Sequence, residues 1–262
     1  MKSSLGLLTH VRWALKCPQY YLLRLVSAPG SPREIRFHLE RSISGLSQIL
    51  EVPRSAIESW FEDVARNANL RRVEKQVHLL PYSGVFRGGP ELYVILRATV
   101  PKVVVETGVG LGYSSAYILE ALNENDTGRL ISIDLPNADA GWKLPDGSGP
   151  GSLVPADRRK RWELRFGSTR QLLPSVLKEL GNVDLFFHDS EHTYDTMMFE
   201  YRHALEALSP AGMIVSDDAM WNTAMIDFAR AAHLKIEFVY HRGGSAPFTL
   251  TRLGPRRRRS SS

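Results

Sequence analysis

From Lys102 onward, short β-branched runs alternate with amphipathic helical stretches, a rhythm that leaves few architectures open. Strands are expected at 103–106, 130–134, 163–166, 183–188, 213–216, 235–240 and 248–252. The runs 103–106, 183–188 and 213–216 are largely apolar, as strands covered on both faces must be, so the first five belong to a parallel sheet with helices on either side. The last two flank a short turn carrying Gly243 and Gly244 and read as an antiparallel hairpin. The fold class that follows is α/β: a doubly wound, mostly parallel, seven-stranded sheet ending in that hairpin.

The first 100 residues have a different texture. Leu5, Leu8, Val11 and Leu15 recur at helical spacing, as do Ile57, Trp60, Phe61 and Val64, and Pro53 marks a helix start. Gly84, Gly88, Gly89 and Pro90 punctuate the chain before a helical period resumes over 92–100. This stretch is expected to form a helical N-terminal region, 1–100, on the acceptor side or at a homo-oligomer contact. Residues 101–254 carry the sheet, and 255–262 form a basic tail.

Composition removes several classes. At 262 residues, 43% hydrophobic and 23% charged, the chain is globular, and it needs no disulfide to hold a core. Its single cysteine, Cys17, fits a reducing cytoplasmic setting. The net charge of +5 is mostly tail, because setting aside Arg256, Arg257, Arg258 and Arg259 takes 33 basic residues to 29 against 28 acidic ones. A nucleic-acid partner is therefore not expected. No run approaches the roughly 20 apolar residues of a membrane span.

The first expected strand runs into Gly108, Gly110 and Gly112 and then into a helix, whose first N–H groups are free to face an anionic or polar ligand. The second strand ends in Asp134, where a carboxylate can accept ribose hydroxyls. A dinucleotide fingerprint would put the third glycine one residue later, and here Glu106 precedes the loop. A dinucleotide oxidoreductase and a purely structural glycine turn remain alternatives at this point.

A second constellation is acidic. One strand ends in Asp189 with His192 three residues on, and another ends in Asp217 and Asp218. Adjacent parallel strands lie about 4.8 Å apart, so these carboxylates meet at the edge where ligands bind. Crowded carboxylates call for a hard divalent cation, Mg2+ or else Mn2+ or Ca2+. His188 and His203 read as structural, and Met198, Tyr201, Leu205 and Leu208 as the core stripe of a helix.

Glu106-Thr-Gly-Val-Gly-Leu-Gly resembles the first motif of class I S-adenosylmethionine-dependent methyltransferases. Phe-His-Asp189-Ser-Glu-His192-Thr-Tyr, with Leu-Ser-Pro-Ala-Gly-Met-Ile-Val-Ser-Asp217-Asp218, resembles the group containing the macrocin-type sugar O-methyltransferases and, more distantly, catechol O-methyltransferase. The resemblance spans roughly 101–253. It implies a Rossmann-like methyltransferase fold, S-adenosyl-L-methionine as cofactor, and a metal held by Asp189, Asp217 and Asp218, with His192 as general base. It also implies cofactor contacts from Glu106, Gly108, Gly110, Gly112, Asp134 and Asp189. Ser114 then falls near the methionine carboxylate, and Gly167 and Ser168 on the adenine side. The activity implied is metal-assisted O-methylation of a small-molecule acceptor, a sugar or natural-product hydroxyl. A metal-independent methyltransferase and a noncatalytic binding protein are the other readings. The glycine-rich span 136–155 is expected to act as a lid, with Trp142, Trp221 and Asn222 as acceptor contacts by position.

Overall fold

The computed structural model of the chain describes residues 32–78, 86–136, 149–241 and 247–253. The expected helix around Leu5 to Leu15, Gly84, Trp142, the Gly243–Gly244 turn, most of the span 136–155 and the Arg256–Arg259 tail lie outside the described residues.

The β-branched runs form strands β1 (Val103–Thr107), β2 (Arg129–Asp134), β3 (Trp162–Phe166), β4 (Val183–His188), β5 (Leu208–Ser216), β6 (Ile236–Val239) and β7 (Phe248–Arg252). They make one sheet in the order β3-β2-β1-β4-β5-β7-β6. The first five are parallel, while β7 runs antiparallel to both β5 and β6. The hairpin expected at the C-terminus is present, with β7 inserted between β5 and β6. Strand β5 begins earlier than its apolar run suggests, since Leu208 pairs with Val183 ahead of a register shift at 183–185. Asp184 stabilises that irregular start: its carboxylate accepts from Ser209 Oγ and from the N–H groups of Lys102 and Val103.

Helices cover both faces. On one side lie α1 (Pro32–Leu50), α2 (Arg54–Arg66), α3 (Ala68–His78), α4 (Gly89–Thr99) and α5 (Tyr113–Glu124). On the other lie α6 (Thr169–Leu180), α7 (Tyr194–Ala207) and α8 (Ala224–Ala232). Successive strand residues alternate between the two cores. Val104, Leu185 and Met213 join the first, while Val105, Phe186 and Ile214 join the second.

The helices before residue 100 are part of that first core. Ile57, Phe61, Val64, Leu70, Val73 and Val77 pack in one cluster with α4, α5 and the sheet, so residues 89–96 of α4 are all buried. Polar contacts fasten the layer. Glu74 on α3 accepts from the hydroxyls of Tyr113 (2.7 Å) and Tyr117 (2.6 Å), and Glu120 accepts from Asn67 and Arg158. Among the described residues no helix is long and apolar enough to cross a membrane.

Candidate active site

Parallel pairing continues one step past the strand ends. Gly108 N–H donates to Ile133 O, Asp189 N–H to Thr107 O and Asp217 N–H to His188 O, each at 2.9 to 3.0 Å. Gly108, Asp189 and Asp217 are thereby set side by side along the carboxyl edge of the sheet. One register back, Thr107, His188, Ser216 and Thr249 form a row across β1, β4, β5 and β7.

That row is polar in an otherwise apolar interior, and α7 answers it. Glu200 accepts from Thr107 Oγ1 (2.6 Å) and Ser190 Oγ (2.7 Å) and pairs with His188 Nδ1 (2.7 Å), while Tyr201 shares a hydrogen bond with Ser216 (2.6 Å). Burial works against the Glu200 charge, yet His188 and the two hydroxyl donors hold its carboxyl below the ordinary range. The sequence reading missed Glu200. Its signal was a carboxylate one turn after the core residue Met197 and next to Tyr201, on the face where only apolar side chains belong.

At the edge, Asp189, His192 and Asp217 each offer one ligand atom within 4.8 Å of the others. Asp218, expected with them, is not in that group, and its backbone is left-handed (φ 43°). Burial, reinforced by Asp217 and Asp218, holds the Asp189 carboxyl well above its usual range. His192 Nε2 lies 3.8 Å from Asp189 Oδ1, has no hydrogen-bond partner and is buried, the side chain being 21% exposed. Burial, with the neighbouring His188 adding to it, lowers the imidazole pKa to about 3, so the ring is a neutral base at physiological pH. Two carboxylates that repel fit a divalent cation, and the imidazole nitrogen beside them is left with a lone pair free to accept a proton.

The glycine loop has three separate jobs. A Cβ on Gly108 (φ 81°) would lie 2.0 Å from the Asp189 carbonyl oxygen, so that glycine lets the two site loops touch. A Cβ on Gly112 (φ 87°) would meet Gly151 and Val154. Gly110 (φ 50°) alone of the three faces open space. Asp134 accepts from the N–H groups of Val109 (3.0 Å) and Gly110 (2.9 Å) through Oδ2 and from Leu135 through Oδ1. Three of its four lone-pair sites are used, which leaves room for one more donor.

Glu106 lies beneath the loop, fully buried, and accepts from Ser114 (2.5 Å), Ser115 (2.7 Å) and Ser132 (2.7 Å). Burial pushes its carboxyl up to about 7 despite those three donors. Ser114 spends its hydroxyl on Glu106 rather than on open space. Gly167 follows β3 with its N–H on the Asp134 carbonyl, and Ser168 opens α6. Of the span 136–155, the described end folds back on the loop: Gly151 N–H donates to Gly110 O and Leu153 N–H to Leu111 O, both at 2.9 Å. Trp221 has its ring 6.3 Å from that of His192. Asn222 turns its amide inward, donating to the His192 carbonyl.

A family model described as a methyltransferase domain matches residues 105–219. No curated protein matches the chain. Among solved structures, the O-methyltransferase from Bacillus cereus in complex with SAH is similar at 15% identity, covering 76% of this chain and 100% of that one, with a TM-score of 0.54. Cofactor-bound Rv0187 from MTB is 17% identical over 72% of this chain and 91% of its own, TM-score 0.53. A methyltransferase from Geobacter sulfurreducens is 16% identical over 76% and 95%, TM-score 0.51. Residues 105–219 are thus similar to a methyltransferase domain, and the strand order of the sheet belongs to a fold shared with these three solved structures.

Proposed function

We propose that the chain transfers a methyl group from S-adenosylmethionine to a hydroxyl oxygen of a small molecule, such as a sugar or natural product. Asp189 and Asp217 would hold a divalent cation, with Asp218 beside them. The observation that carries the reading is the unpartnered, neutral His192 nitrogen grouped with Asp189 and Asp217. That edge touches the glycine loop at Gly108, so an acceptor at His192 lies next to the cofactor. The fold shared with the Bacillus cereus O-methyltransferase supports an oxygen acceptor.

Methyl transfer is an in-line displacement, and orientation of the reactants contributes roughly 7 to 11 kcal/mol. When bound, S-adenosylmethionine supplies the electrophilic methyl and a divalent cation would acidify the acceptor hydroxyl. Gly110 leaves the backbone open to the cofactor, and Asp134 fixes the Val109 and Gly110 amides while offering its remaining lone pair to a ribose hydroxyl. Glu106 and Ser114 act from below, setting the turn into α5. Gly167 and Ser168 border the adenine side. His192 Nε2 accepts the hydroxyl proton as the oxygen attacks.

Calorimetry with S-adenosylhomocysteine, with and without Mg2+, tests this. Binding is expected in both conditions, together with a separate Mg2+ isotherm that Asp189→Asn abolishes. Failure to bind S-adenosylhomocysteine overturns the reading. Binding without any Mg2+ isotherm replaces it with metal-independent transfer.

A further inference from the structure

The sheet ladder fixes Asp189 and Asp217 through their backbones, but it stops before His192. His192 lies between β4 and α7, with its ring resting edge-on against His188 (5.3 Å between centroids) and beside Trp221. The hydrogen bond that reaches its backbone carbonyl comes from Asn222, on the segment joining β5 to α8. Asn222 Nδ2 donates to His192 O (3.1 Å) and lies 3.2 Å from Met197 Sδ on α7. Asn222 Oδ1 accepts from Ala224 N–H (2.8 Å) at the start of α8.

The partners fix which end of the amide is which. A carbonyl only accepts and an amide N–H only donates, so the reversed amide would face like against like at both ends. One side chain therefore ties the His192 loop, α7 and the acid-bearing β5–α8 segment together.

We infer that Asn222 is a positioning residue, fixing His192 against Asp189 and Asp217, and not the acceptor contact its sequence position suggests. This rests on the reading of His192 as the proton acceptor. Displacements of about 1 Å at a reacting group can cost about a hundredfold in rate, so a clamp on the base matters as much as its identity.

Asn222→Asp separates the clamp from the helix cap. Aspartate keeps an acceptor for Ala224 N–H but has no N–H for the His192 carbonyl. The full chain carrying 15N-labelled histidine would be compared with this variant by NMR, the His192 ring signals being assigned by their loss in His192→Gln. Expected are shifted and broadened His192 signals in Asn222→Asp, while S-adenosylhomocysteine affinity stays within twofold. Asn222→Ser, which also keeps an acceptor but cannot span to His192, should behave the same and serves if the first variant folds poorly. His192 signals that superimpose on those of the unsubstituted chain overturn the proposal. Turnover by His192→Gln tests the base separately: activity there would remove the base assignment and leave the clamp intact.

Discussion

Glu106 shows how one buried carboxyl beneath the glycine loop makes folding depend on pH. In an unfolded chain it ionises near 4.5, and in the folded chain at about 7. Below 4.5 both states are protonated and folding bears no penalty. Between 4.5 and 7 the unfolded chain ionises first, so stability falls as pH rises, by a total on the order of 3 kcal/mol. His192 acts in the opposite sense, since its unfolded imidazole takes a proton near 6.5 and the folded one only near 3. The difference between the unsubstituted chain and Glu106→Gln isolates the carboxyl. Urea titrations at pH 5.5 and 8 should show that difference moving in favour of Glu106 as pH falls, and parallel curves would contradict it. The sequence showed an acid ahead of the loop. It could not show three serines, at 114, 115 and 132, converging on that acid from two elements.

At the scale of elements, strand ends were the most legible part. All seven strands were placed from the sequence, β3 by the strand–helix rhythm rather than by an apolar run, and their register follows once the parallel order is set, so Asp189 and Asp217 meet as their positions at strand ends require. The loops were less legible. Asp218 follows Asp217 directly, but its backbone is left-handed and its carboxylate stays outside the Asp189, His192 and Asp217 group, and nothing in an Asp-Asp pair announces that turn. The glycines looked alike in sequence yet face different neighbours. Gly108→Ala would force a Cβ onto Asp189 in a conformation costing about 1–2 kcal/mol by itself, so its Tm should drop by several degrees. Gly110→Ala bears the same left-handed strain but meets no neighbour, so its Tm should drop less than that of Gly108→Ala, while S-adenosylhomocysteine binding should still weaken at least tenfold by calorimetry. Equal behaviour of the two variants would remove the distinction.

For the molecule as a whole, the motif-bearing sequence and the stabilising core have different extents. The domain match covers 105–219, and a change of texture near residue 100 is evident in the sequence, yet Ile57, Phe61, Val64, Leu70, Val73 and Val77 share a core with α4 and α5. Texture reports which elements carry chemistry, whereas packing partners across such a change leave no local mark. Six buried side chains at about 1.5–3 kcal/mol each contribute about as much as the whole of a typical net stability of about 5–15 kcal/mol. A fragment beginning at Phe86 should therefore lack cooperative unfolding and bind hydrophobic dyes, and a sharp two-state transition would show the helical layer to be dispensable.

Gly110 is held from both sides, its N–H by Asp134 and its carbonyl by the Gly151 N–H. Two peptide units flanking one residue are thus tied to positions far apart in sequence, the end of β2 and Gly151. Moving Gly110 therefore means breaking contacts to two distant parts of the chain at once, which makes this residue a rigid point between the end of β2 and the turn that begins at Pro150.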